Sequence, residues 1–248
     1  MSSVPPGRPV DAVGAAPSVA AESGAALGRR AQILATEHWG LLAARGTAQS
    51  EVLTRITIYL TLVSASLVTI GLLGQATGFR DWFAGAALAI LGFLTLLGLM
   101  TQTRVFNVAE EDLMYVVAMN RLRGAYVDLD PVVERYFLAA VTDDVAGLER
   151  TYSFLRRRSV SHLFGSSAVF IAVVNACVIG MFGGGCLALA GMPVPLAVVI
   201  AVALGVAVIA ASFAYGMWTY RTAWRNHRPL RRAEDPAQGA FPRTRPSD

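Results

Sequence analysis

Several side chains have types and spacings that invite a chemical reading. Acidic residues cluster as Glu110-Glu111-Asp112 and as Asp143-Asp144, the kind of pairing that general acid–base or metal chemistry needs. No nucleophile, glycine-rich phosphate loop or histidine-based constellation accompanies them, so the chain is not expected to be an enzyme. Asp130 and Asp143 read instead as helix caps. His38, His162 and His227 are scattered, and Cys177 and Cys186 lie nine residues apart in one apolar segment. On a helix those sulfurs are ~13 Å apart along the axis and face opposite sides, which excludes a mutual disulfide. Neither a metal centre nor a cofactor is expected.

The remaining polar candidates sit inside apolar sequence. Thr57, Thr61 and Ser64 share one face of a helix, and Asn175 lies near the middle of another apolar run. Such groups line a pore in some membrane proteins, but more commonly they bond across helices or back onto their own carbonyls. Small residues recur every four positions at Ala168, Ala172, Ala176, Gly180 and Gly184, a face suited to close helix contact and to self-association.

The elements that must position these groups follow from where charges stop. Only 15% of residues are charged, and they are absent over long stretches, so the chain reads as a multi-pass membrane protein. Two uncharged runs, Ile56 to Ala76 and Trp82 to about Thr103, each suffice to cross the ~30 Å hydrocarbon core. A longer gap follows Arg158, and Gly191-Met192-Pro193-Val194-Pro195 divides it into spans at about 163–190 and 194–218. Gly183-Gly184-Gly185 predicts an irregularity in the third span. The fold class is therefore all-α: a four-helix transmembrane protein built as two hairpins (53–103 and 163–218), with a cytosolic helical region at 104–162 between spans 2 and 3.

Outside the spans, residues 1–26 and 225–248 are poor in large apolar groups and are expected to be disordered. Residues 27–48 form an amphipathic helix that either lies on the membrane surface or packs on the cytosolic helices. The second span should continue to about Gly124. Asp130-Pro131 opens a short helix, Val132 to Val141, and Thr142-Asp143-Asp144 starts another that runs through Arg158 into the third span. On that geometry Glu111 and Asp112 stand level with Arg156 and Arg157 and are expected to pair with them.

The stretch ILATEHWGLLAARGTAQSEVLTRITIYLTLVSASLVTIGLLGQATGF (33–79) with MNRLRGAY (119–126) resembles a group of uncharacterised actinobacterial membrane proteins. A membrane hairpin followed by cytosolic helices is also similar in architecture to SLATT-type membrane effectors, a resemblance that implies pore formation. Two functions follow as expectations: an oligomeric membrane scaffold or adaptor whose cytosolic helices bind a protein partner, or a pore-forming effector. The lipid bilayer is the expected environment, and no nucleic acid is expected, since basic flanks serve orientation in a multi-pass chain.

All 21 basic residues are arginine, and only Arg80 falls in a hairpin turn. The positive-inside rule then puts both termini and the middle region in the cytosol of a cell-membrane protein. Reporter fusions at residue 120 and at the C-terminus should read as cytosolic, and fusions at Thr77 and Met192 as extracytoplasmic. A cytosolic signal at Met192 would eliminate the second hairpin.

Overall fold

The computed structural model describes residues 24–155 and 166–233 of the chain. The expectations for residues 1–23 and 234–248, and for Arg156, Arg157 and His162, lie outside them. Five α-helices are present among the described residues: α1 (Gly24–Thr77), α2 (Phe83–Leu129), α3 (Val145–Tyr152), α4 (Ser167–Leu189) and α5 (Val194–Asn226). A 3-10 turn, Pro131–Tyr136, follows α2. Helices α1, α2, α4 and α5 are long and apolar enough to cross a membrane.

These four form two packed pairs. α1 lies against α2, α4 against α5, and α2 against α4, so α2 and α4 are the inner members. Leucine, valine and isoleucine at helical spacing create the contact: Ala48, Val52, Ile56 and Tyr59 of α1 meet Leu94, Val105 and Val108 of α2, with Ile171 and Val178 of α4. The first hairpin turns through left-handed backbone at Gly78, Phe79 and Asp81. There the Phe79 amide donates to the Gly74 carbonyl at 2.9 Å, and its ring lies where a side chain at Gly74 would be. The second turns at Gly191, whose φ of 89° suits glycine, before Pro193 precedes α5.

Helices α1 and α2 overshoot any bilayer. At 1.5 Å per residue they are ~80 and ~70 Å long, against a hydrocarbon core of ~30 Å. Their charged halves, 24–55 and 104–129, form a paired stalk. The amphipathic segment at 27–48 is thus no separate helix. Nothing between Gly46 and Leu53 breaks the backbone: Thr47, Ser50 and Thr54 return their hydroxyls to carbonyls of the preceding turn, while Ala48 and Val52 stay buried against the core. Leu34 and Leu41 are half-buried, whereas Ile33 and Leu42 face outward.

Three further segments differ from expectation. The helix expected at Val132–Val141 is only the 3-10 turn, although Asp130 caps it as anticipated, accepting from the Val132 amide at 2.9 Å. α3 ends at Tyr152, where Ser153 leaves helical geometry, so no continuous helix runs down into the third span. Its cap is Asp144, accepting from the Gly147 amide at 2.8 Å, and not Asp143. The chain from His227 to Ala233, expected to be disordered, is held by hydrogen bonds to Asp143 and Asp144.

The triple glycine does not interrupt α4 either. Those positions carry no side chain because neighbours fill the space: a Cβ at Gly183 would meet Leu204, at Gly184 Ala201, and at Gly185 Leu88. The small face of α4 is used inside the chain. Ala172 and Ala176 are buried, Gly180 lies so close to the Ala201 carbonyl that a Cβ would stand 2.9 Å from it, and Gly205 reciprocates against Ala176. That face is occupied by α5, which corrects its assignment as a surface for self-association.

Candidate functional site

One polar constellation touches all four long helices. Asn175 of α4, 1% exposed, accepts from the Tyr59 hydroxyl of α1 at 2.8 Å. Its amide donates to the Gly98 carbonyl of α2 at 2.9 Å and to Gln102 Oε1 at 2.6 Å. Gln102 in turn donates to Ser212 Oγ of α5 at 2.6 Å, and Ser212 ends the chain by donating to its own Val208 carbonyl at 2.7 Å. Gly98 makes room for it, since a Cβ there would lie 2.2 Å from Asn175 Oδ1 and 2.5 Å from the Tyr59 hydroxyl.

The members are amides, hydroxyls and a phenol, and none of these groups ionises near neutral pH. The constellation is a lock between helices and not a proton relay. Polar groups inside apolar surroundings cost free energy unless paired, so each bond enforces the position of the helix that supplies it. Asn175 was legible from sequence as a bond between helices. Tyr59, Gln102 and Ser212 were missed. An inventory of every amide and hydroxyl inside the uncharged runs would have found them, though not which pair meets.

The hydroxyl stripe behaves differently. Thr57, Thr61 and Ser64 are all exposed on the outside of α1 and take no part in the lock. Thr57 and Thr61 donate to the carbonyls four residues earlier, each at 2.9 Å.

Toward the charged end, the acids find partners other than those expected. Asp112 binds Arg45 of α1 at 2.6 Å and Gln49 at 2.8 Å, and also accepts from the Tyr152 hydroxyl of α3. Arg104 bridges Glu111 at 2.7 Å and Glu51 of α1 at 3.0 Å. Burial pushes the Asp112 carboxyl up, but hydrogen bonds from Arg45 and Tyr152 outweigh it and hold the pKa below the usual carboxylate range.

Asp143, 1% exposed, is an anchor for the C-terminal segment. Its carboxylate accepts from the Leu230 amide at 3.1 Å, the Arg231 amide at 2.8 Å and Arg121 Nε at 2.8 Å. Here too burial raises the pKa, and the Arg231 and Leu230 amides followed by Arg121 bring it below the ordinary value. Beside it Asn120, fully buried, accepts from Thr151 and Arg123 and donates to the Thr142 carbonyl. His38 is half-buried near Tyr126, and its pKa is lowered by burial and then by Arg123. Among the described residues no group of three His, Cys, Asp or Glu is arranged to hold a metal ion, and Cys177 and Cys186 are free and exposed.

Four apolar helices long enough to span, joined by a buried polar lock, define a multi-pass membrane protein. Compared with family models, curated proteins and solved structures, the chain matches none.

Replacing Asn175 with Leu should lower stability in detergent by ~1–3 kcal/mol, because Gln102 and the Gly98 carbonyl lose their donor in a buried site. Tyr59→Phe, which removes one bond only, should cost less, ~0.6–1.7 kcal/mol. Equal losses in thermal unfolding would mean that the lock is not shared in this way.

The charged end carries a pH dependence. Asp112 and Asp143 have folded pKa values below the unfolded ~3.9, so their contribution is complete above that value and is lost as pH falls through the lower folded values. Thermal unfolding should therefore show an acid limb below pH ~4 that is weaker in Asp143→Asn. An unchanged acid limb in that variant would contradict the assignment.

Proposed function

We propose that this protein is a membrane scaffold whose stalk lies in the cytosol and presents a binding surface to a protein partner. The observation that carries the reading is the continuity of α1 and α2 from the apolar bundle into the charged stalk. Locked by Asn175 within the spans and by Asp112 and Arg104 above them, the two helices hold the stalk at a fixed angle to the bundle. The loop after α2 leaves Tyr136 and Leu138 largely exposed, at 68% and 64%, on a segment rich in charge. Large apolar groups left in water at such a place favour an interaction surface. The arginine distribution supports a cytosolic stalk.

A pore is the second reading, and the outward hydroxyl stripe Thr57, Thr61 and Ser64 favours it. The lock fills the interior of the single chain, so conduction requires several copies arranged with that stripe around a common axis. The architectural resemblance to SLATT-type effectors belongs to this reading.

Overexpression in cells loaded with a small fluorescent dye separates the two. The scaffold reading expects no leakage, together with a co-purifying soluble protein that is lost when Tyr136 and Leu138 are both changed to Asp in a chain of unaltered thermal stability. Leakage, or retention of the same protein by the double variant, would count against it.

A further inference from the structure

Helix α5 stays uncharged further toward the stalk than α2 does. Gln102 of α2 bonds Ser212 of α5, and Phe106 packs its ring on Tyr215 at 5.2 Å between centroids. Arg104, the first charged residue of α2, therefore stands level with about Ala214. α5 carries no charge from Val194 to Tyr220, a length of ~40 Å at 1.5 Å per residue. That reaches past the ~30 Å hydrocarbon core into the headgroup layer. The excess holds Tyr215, 45% exposed, and Trp218, 61% exposed, the ring types that settle at a bilayer interface. Arg221 is the next charge.

Charge pairing also differs between the helices. Arg55 and Arg104, the basic residues nearest the bundle on α1 and α2, meet Glu51 and Glu111. α5 contains no acidic residue. Among the described residues the guanidinium groups of Arg221 and Arg225 have no partner, and both residues are exposed. At 100° per residue Trp218, Arg221 and Arg225 fall within ~60° of one another around α5. One turn before Arg221, Met217 borders a cavity of about 280 Å³ between α2, α4 and α5, whose walls include Phe106, Val169, Ala172 and Phe213. The two serine hydroxyls that reach it are engaged, Ser166 by the Ala168 and Val169 amides and Ser212 within the lock. Phe213 and Met217 are exposed, so the cavity opens outward to lipid.

We propose that Arg221 and Arg225 bind the phosphate of an anionic phospholipid in the stalk-side leaflet, with one acyl chain of that lipid in the cavity below. A guanidinium presents paired donors that match phosphate oxygens, and successive turns set these two ~6 Å apart along the axis. The carboxylates that neutralise Arg55 and Arg104 have no counterpart on α5, so its charge is open to an external anion. At the depth of Trp218 that anion is a lipid headgroup, and basic clusters just beyond a span attract anionic ones. A zwitterionic headgroup brings its own ammonium, which two guanidinium groups repel. The apolar cavity, with both serines engaged, suits a hydrocarbon chain and offers nothing to a polar solute. The inference goes beyond the scaffold reading, and its failure leaves partner retention through Tyr136 and Leu138 untouched.

Lipid retention by the purified full-length chain tests it, read by native mass spectrometry from micelles with equal amounts of phosphatidylglycerol and phosphatidylcholine. The unaltered chain should retain phosphatidylglycerol in preference by on the order of tenfold. Arg221→Gln with Arg225→Gln should bring the ratio near unity without altering thermal unfolding in phosphatidylcholine alone, since both side chains are exposed. Arg228→Gln with Arg232→Gln removes the same charge from exposed positions beyond α5 and should keep the preference. Gly216→Leu, where a Cβ meets only Phe106 at 3.8 Å, fills the cavity and should reduce retention with both arginines in place. A ratio near unity in the unaltered chain, a preference that survives loss of Arg221 and Arg225, or an equal loss without Arg228 and Arg232 would overturn the proposal. So would undiminished retention by Gly216→Leu, or displacement of the lipid by inorganic phosphate, which would make the ligand a soluble anion.

Discussion

Asn175 offers two donors and an acceptor, and every one of them meets a different group on another helix. A side chain of this kind is poorly tolerated in apolar surroundings, and the cost of leaving it unmatched is what makes it specify structure. Apolar packing between helices resists separation only weakly in a bilayer, because lipid tails serve nearly as well as a neighbouring leucine. Rotation or sliding of α1, α2 or α4 about the Asn175 amide, in contrast, breaks a directional bond. Gly98 is the complementary requirement, since any side chain there would occupy the space in which the bonds form.

That register is transmitted outward because α1 and α2 do not break at the end of the apolar region. Arg104, two residues beyond Gln102, reaches Glu51 on α1 and Glu111 on its own helix, and Asp112 reaches Arg45. Ion pairs within reach of solvent contribute little stability individually. Their value lies in repetition at successive turns, each compatible with one alignment of the two helices. Asp143 closes the far end differently: it is buried, and its partners include the backbone amides of Leu230 and Arg231. The segment after α5 is thereby tied to the same stalk as the first two helices.

How much of this could be read in advance depended on which physical signal was local. Runs without charge are a property of the chain alone, so four spans and two hairpins were plain from Arg55, Arg80, Arg104 and Arg158. The extension of α2 past the second span was likewise written in the periodicity of Val108, Met119 and Tyr126. What could not be read was partnership. Asp143 follows a threonine and precedes an aspartate in a standard capping context, and only the return of the chain at Leu230 makes it an anchor instead. Glu111 and Asp112 were paired with Arg156 and Arg157 on the assumption of a helix continuing past Tyr152. Among the described residues, Arg45 and Arg104 supply those charges. The Ala172, Ala176 and Gly180 face was recognised correctly as a contact, but sequence spacing does not say whether the other side belongs to the same chain, and here it is α5.

The two faces of α1 follow from the same reasoning applied to what was left over. A helix that packs on one neighbour needs one apolar stripe, and Ala48, Val52, Ile56 and Tyr59 supply it. Of the charged side chains of α1, Arg45 and Glu51 have partners on α2. Arg29, Arg30, Glu37 and Arg55 meet water. Trp39 and Leu42 also face outward, on a side of the helix that carries no charge. The hydroxyls of Thr57 and Thr61 on that side turn back to carbonyls of their own helix, so within the bilayer they leave no unsatisfied donor facing lipid.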